Sequence, residues 1–228
     1  MTLLLRLKWH LVIALACGFA LGSLSSAQAS ASYSFAGYNY NGTYRGASAQ
    51  IPYKNPAVPA GHSAEWSMAQ DGSSHYIQSG WIKLSGDSLP WYFTEYSGCT
   101  PYCRTRYAQI DANTHEYKVE YFPPGVMATN DVWCAKIDGV NKVCTGASFI
   151  PLGQAPILTY SGETSDTTAD MGGNTSSHLR MTVISLKNTS NTWLQVNTNS
   201  LANITTAGTR YRAAKGFSGT TYIENWTN

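Results

Sequence analysis

Charge is scarce in this 228-residue chain, where Asp, Glu, Lys and Arg make up 12% of the residues, fifteen of them basic and thirteen acidic. Two of the basic residues, Arg6 and Lys8, fall in the first stretch of the chain, and without that stretch the balance is thirteen against thirteen. A neutral chain with no basic stripe offers little to nucleic-acid phosphates or to an anionic membrane, so neither partner is expected. Helical periodicity is almost absent beyond residue 30, which excludes a helical bundle or a doubly wound fold. The chain also lacks the motifs of most hydrolytic and nucleotide chemistry. There is no Cys-x-x-Cys, no Gly-x-Ser-x-Gly elbow, no His-Glu-x-x-His, no phosphate-cradling loop and no dinucleotide fingerprint. Gly86-Asp87-Ser88-Leu89 spells the opening of one esterase signature, but the later Asp-x-x-His is missing, and Gly86-Asp87 reads as a hairpin turn. His62, His75, His115 and His178 are scattered and read as surface residues. No metal and no cofactor is expected.

The first residues read as an export signal over 1–29. Arg6 and Lys8 give the basic start, Leu11 to Leu24 the apolar core, and Ala27-Gln28-Ala29 a small-x-small cleavage site before Ser30. The mature domain is then 30–228, secreted, free of the membrane and expected as a monomer. Removal of the signal takes Cys17 with it and leaves Cys99, Cys103, Cys134 and Cys144. An even number suits an oxidising compartment, and proximity favours Cys99–Cys103 and Cys134–Cys144. The second pair flanks Asp138-Gly139, where a three-residue hairpin loop would set the two cysteines opposite each other. Asn41, Asn174, Asn188, Asn203 and Asn225 each open an Asn-x-Ser/Thr acceptor pattern.

What is abundant is Gly, Ser, Thr, Asn and Tyr, with turn clusters recurring at roughly 8 to 12 residue spacing, the pattern of an all-β sandwich or barrel. Candidate strands are 44–52, 64–69, 75–84, 91–96, 107–111, 116–122, 132–137, 141–147, 156–160, 180–185, 193–196 and 221–225. The Asn/Thr-rich stretch 188–209 reads as short strands or a long surface loop. With no repeat and no charged or proline-rich linker, a single domain is expected.

Two strands carry an isolated polar group among apolar or small neighbours. In 75–84, Tyr76, Gln78, Gly80, Ile82 and Leu84 share one face. Gln78 there is either a core amide satisfied by backbone or a working group on the floor of a groove. In the second strand, Ile157, Thr159, Ser161 and Glu163 share a face, and Glu163 ends the strand just before the polar loop 164–174. An amide and a carboxylate, each beside a glycine, are a minimal set for activating water against an amide bond. Glu95 is the reserve acid, with a solvated strand carboxylate as the ordinary alternative. Trp66, Tyr76, Trp81, Tyr92, Tyr96 and Tyr160 are candidates to line a groove and grip an extended peptide, or else plain core and surface aromatics.

These segments resemble the neprosin-type domain and its relatives, the glutamic peptidases. Tyr44-Arg45-Gly46-Ala47-Ser48-Ala49-Gln50-Ile51 followed by Asn55-Pro56-Ala57-Val58 is similar to the opening pattern of that family, and Ile77-Gln78-Ser79-Gly80-Trp81 to its Ile-Glu-Ala-Gly-Trp strand. Cys99 and Cys103 fall where the family has its Gly-Cys and following Cys, and Ala155 to Glu163 with Met171-Gly172 resembles its Gly-Gly-Glu segment and Met-Gly turn. Gln78 stands where that family has a glutamate, as in the eqolisin-type peptidases, which use a Gln and Glu pair. The resemblance implies a two-sheet antiparallel sandwich of jelly-roll or concanavalin-like form. It also implies a secreted, acid-acting glutamic endopeptidase in which Glu163 activates water and Gln78 stabilises the oxyanion. The strand registers put Gln78 and Glu163 on one concavity, close enough for one water to touch both, about 3 to 7 Å between polar atoms. The rival is a secreted sandwich that binds carbohydrate or a cell surface without catalysis, since aromatic faces with few charges serve both.

Overall fold

The computed structural model describes residues 33–72, 74–99, 102–146, 150 and 153–228. The expected signal segment and its cleavage site lie outside the described residues. Fifteen strands follow in chain order: β1 Ser34–Tyr44, β2 Gly46–Pro52, β3 His62–Gln70, β4 Tyr76–Leu84, β5 Trp91–Tyr96, β6 Cys103–Gln109, β7 Thr114–Phe122, β8 Val132–Ile137, β9 Val140–Thr145, β10 Ala155–Thr164, β11 Leu179–Lys187, β12 Trp193–Gln195, β13 Leu201–Asn203, β14 Tyr211–Ser218 and β15 Thr220–Thr227. They form a seven-stranded sheet in the order β13-β1-β10-β3-β4-β5-β6 and an eight-stranded sheet in the order β14-β15-β11-β2-β7-β8-β9, with β12 added beside β11. Every neighbouring pair is antiparallel. The expected all-β, two-sheet sandwich is the observed fold, and its strands belong to one compact unit.

Alternation of side chains decides which residues fill the space between the sheets. From the seven-stranded sheet come Ile77, Trp81, Leu158 and Tyr160, and from the other sheet Ala47, Ala49, Ile51, Tyr117, Val119, Trp133 and Ala135. Three hydroxyls on these inner faces are matched by carbonyls across the gap. Ser67 Oγ donates to Tyr117 O at 2.8 Å, Ser79 Oγ to Lys136 O at 2.7 Å and Tyr160 OH to Ser185 O at 2.7 Å. A buried hydroxyl left unpaired would cost about 1–3 kcal/mol, so these contacts also fix how the two sheets slide on each other.

Several expectations change here. Strands β1 and β14 are additional to those read from sequence, and the uncertain stretch contains β12, a single 3-10 turn at Thr198–Ser200, and β13. The hairpin at Asp138-Gly139 has two loop residues rather than three, since Ile137 pairs with Val140. Asp138 at φ 49° and Gly139 at φ 76° give a turn whose twist suits paired strands. A bulge one step further leaves Lys142 as the extra residue and restores Cys134 opposite Cys144. Both expected disulfides are present, with Cα–Cα distances of 5.3 Å for Cys99–Cys103 and 4.1 Å for Cys134–Cys144. His62 and His115 are buried rather than on the surface.

Candidate active site

The outer face of the seven-stranded sheet holds a second, smaller apolar cluster of Ala64, Trp66, Ile82 and Phe93, edged by Phe35, Met68 and Leu84. Trp66 and Gly80 are cross-strand partners, and a Cβ on Gly80 would meet Trp66 Cβ at 2.8 Å and Glu65 O at 2.0 Å. The glycine two residues beyond Gln78 therefore lets the indole lie close over β4. Beside this cluster opens a cavity of about 320 Å³ whose wall includes Gln78, Glu163 and Glu95 together with Trp66 and Tyr76. Trp81, Tyr92, Tyr96 and Tyr160 do not line it. Trp81 and Tyr160 belong to the inter-sheet core, and Tyr92 and Tyr96 pack against that core from the same side. Each is an odd step away in the alternation from the residues that face the cavity.

Gln78 on β4, Glu95 on β5 and Arg104 on β6 are successive cross-strand partners, so their side chains stand in one row. Glu95 is buried rather than solvated, and both of its oxygens are occupied. Oε1 accepts from Tyr76 OH at 2.6 Å and from Gln78 Nε2 at 3.3 Å, while Oε2 accepts from Arg104 Nε at 2.5 Å. A carboxylate accepts only, so the Gln78 amide must present nitrogen to Glu95. That fixes which way the amide faces and leaves its second N–H and its carbonyl for the cavity. Burial, then the hydrogen bond and charge of Glu95, push the Tyr76 phenol well above its ordinary range. Arg104 lies over the Tyr102 ring at 4.6 Å, and the Cys99–Cys103 bridge anchors the start of β6 one residue before it.

Glu163 on β10 is held differently. Its Oε1 lies 2.8 Å from His62 Nε2, and its Oε2 makes no hydrogen bond among the described residues. Glu163 pairs with Ala64 across β10 and β3, whereas the row of Gln78 runs through Met68 to Thr159. Gln78 and Glu163 are thus offset by four residues along the strands, about 13 Å, and by two strands, about 10 Å on a flat sheet. They make no direct hydrogen bond to each other, each has its own partner, and this strand offset runs against the one-water spacing expected from the sequence.

Among solved structures, the chain is similar to scytalido-glutamic peptidase bound to a transition state analog inhibitor, with a TM-score of 0.58, 12% identity, and coverage of 86% of this chain and 98% of that one. It is also similar to SCP-B, a member of the Eqolisin family of peptidases in complex with the tripeptide Ala-Ile-His, with a TM-score of 0.53, 11% identity and the same coverage of 86% and 98%. The likeness is one of fold. No family model matches the chain, for neprosin-type domains or any other, and no curated protein sequence matches it.

His62, Tyr33, Phe35, Met68, Gln70, Tyr102 and Arg104 were absent from the sequence candidates. The spacing that could have found His62 is its place two residues before Ala64, which puts it on the same face of β3 as Trp66. A further carboxyl, Glu65, lies on the opposite face of β3 and is fully buried between the sheets. Burial pushes it up to about 8, although Asn225 Nδ2 at 2.6 Å and Gly172 N–H at 3.1 Å both donate to it and pull the other way. Asn225, one of the five expected glycan acceptors, is therefore enclosed in the core.

Proposed function

We propose that the chain is a glutamic endopeptidase in which Glu163 is the general base and Gln78 the oxyanion stabiliser. The observation that carries this reading is the contrast between two carboxylates in one cavity. Glu95 has both oxygens engaged, Oε2 by the Arg104 guanidinium, so it orients Gln78 rather than reacting. Glu163 has one oxygen on His62 and one uncommitted. A water on Oε2 would lose a proton to Glu163 as it adds to the scissile carbonyl, and the same proton would pass to the leaving amine. The remaining Gln78 N–H would meet the negative charge that develops on the carbonyl oxygen. On this reading a substrate would lie obliquely across the strands, with the scissile amide and its attacking water between Gln78 and Glu163. Trp66 and Tyr76 supply rings to grip an extended peptide. The two disulfides suit an exported protein.

Incubation with denatured protein in the acid range tests the reading. Cleavage that persists with pepstatin and a chelator and disappears in Glu163→Gln, with the melting temperature kept near wild type, supports it. Undiminished cleavage by Glu163→Gln refutes it. No cleavage together with retention on immobilised glycans would move the assignment to a binding module.

A further inference from the structure

His62 stands at the start of β3, and its imidazole and the Glu163 carboxyl are both buried, with side chains 7% and 11% exposed. Its backbone is tied twice to the residue two beyond Glu163. His62 N–H donates to Ser165 Oγ at 2.9 Å, and Ser165 N–H donates to His62 O at 3.2 Å. Gly61 permits that approach, because it sits at φ +65° and a Cβ there would meet Ser165 Oγ at 2.5 Å. The Tyr33 ring covers the imidazole with centroids 5.8 Å apart. Local backbone contacts thus fix the ring against the end of β10, where it meets Glu163 at 2.8 Å.

We propose that His62 is a positioning residue for Glu163: it holds Oε1, turns Oε2 to the cavity, and through its own charge sets the pH range in which Glu163 works as a base. This rests on Glu163 being the base of the proposed peptidase. A protonated imidazole donates Nε2–H to Oε1, and its positive charge favours the ionised carboxylate. A neutral imidazole protonated on Nε2 keeps the hydrogen bond but supplies no charge. The other titratable groups around the cavity are Tyr33, Tyr76, Tyr102, Glu95 and Arg104. Burial raises Tyr33 and Tyr76, which stay neutral phenols in acid. Arg104 and Glu95 engage each other. His62 is therefore the ionisable group in direct contact with Glu163.

The test is a set of pH profiles of kcat and KM on one peptide substrate for wild type, His62→Gln, His62→Leu and Glu163→Gln. His62→Gln keeps an N–H donor but no charge, so KM should hold within about twofold while the acid limb of kcat moves up by about one pH unit. His62→Leu also loses the donor and should lower plateau kcat by about 10²-fold, the typical loss for a group misplaced by about 1 Å. An acid limb in His62→Gln that overlays wild type, with Glu163→Gln inactive, overturns the role of His62 and leaves the peptidase reading intact. Activity in Glu163→Gln overturns the peptidase reading first and this inference with it. Should the His62 variants not fold, the imidazole titration is followed by NMR in wild type and Glu163→Gln. A midpoint that falls when the carboxylate is neutralised supports the pairing, and an unmoved midpoint overturns it.

Discussion

Glu65 should make the stability of this protein fall steadily from acid to mildly alkaline pH. It is fully buried between the sheets, its two partners are the uncharged donors Asn225 Nδ2 and Gly172 N–H, and no cation among the described residues pairs with it. Desolvation therefore wins, raising the carboxyl from 4.5 to about 8. Because the folded value lies above the unfolded one, the native state holds a proton that the unfolded chain has already released. Stability is fully present below pH 4.5, declines through the window between 4.5 and about 8, and has lost the whole contribution above it. At about 1.36 kcal/mol for each pH unit, the loss across that window is roughly 5 kcal/mol, or about 10 to 20 °C in melting temperature for a domain of this size. His115 acts with the same sign over a narrower range. Although burial works against its charged form, the hydrogen bonds and charges of Asp138 and Asp111 raise it above 6.5, so its contribution is lost only as pH rises beyond that value. Melts from pH 4 to 9 on wild type, Glu65→Gln and His115→Asn separate the two. The isosteric amide cannot ionise, so Glu65→Gln should remove most of the slope between 4.5 and 6.5, where His115→Asn changes nothing. A Glu65→Gln protein whose melting temperature tracks wild type across that interval would refute the argument.

Removing the Gln78 amide should lower turnover by about 10² to 10³, the loss typical of one oxyanion donor, with little change in melting temperature; kcat of Gln78→Ala against a thermal melt checks this. Glu95→Gln should instead cost both, because it strands the half-buried Arg104 guanidinium and releases the orientation of Gln78 and Tyr76. A loss of about 3–5 kcal/mol in urea unfolding accompanying the fall in kcat is the expected outcome. The bridges Cys99–Cys103 and Cys134–Cys144 close sequence separations of 4 and 10, so reduction should cost only about 2 to 3 kcal/mol each and leave a folded protein, measured by unfolding with and without reductant.

Much of the architecture was legible in local pattern. Period-two alternation in Tyr76 to Leu84 and Ala155 to Thr164 separates Gln78 and Glu163 from the core-facing residues of the same strands, and the Asp138-Gly139 turn announces the hairpin that pairs Cys134 with Cys144. The edge strand β14 was less visible because its residues alternate weakly, with Lys215 on the face of Tyr211 and Ala213, where an apolar side chain would mark an inner face. The aromatic candidates split for the same reason. Alternation says which residues share a face but not which face looks into a cavity and which into the core, and so Trp66 and Tyr76 fell on one side and Trp81, Tyr92, Tyr96 and Tyr160 on the other.

By itself, then, the sequence determined the class of fold, the disulfide pairs and the face on which each candidate side chain stands, because a period of two and a short loop are properties of neighbouring residues. Only the tertiary structure decided what each carboxylate is. Glu95 meets Arg104 from the next strand, Glu163 meets His62 from a residue 101 positions away, and Glu65 meets Asn225 from 160 positions away. Which partner a glutamate meets and how much solvent it loses depend on strand order, and these set the surroundings in which its carboxyl ionises.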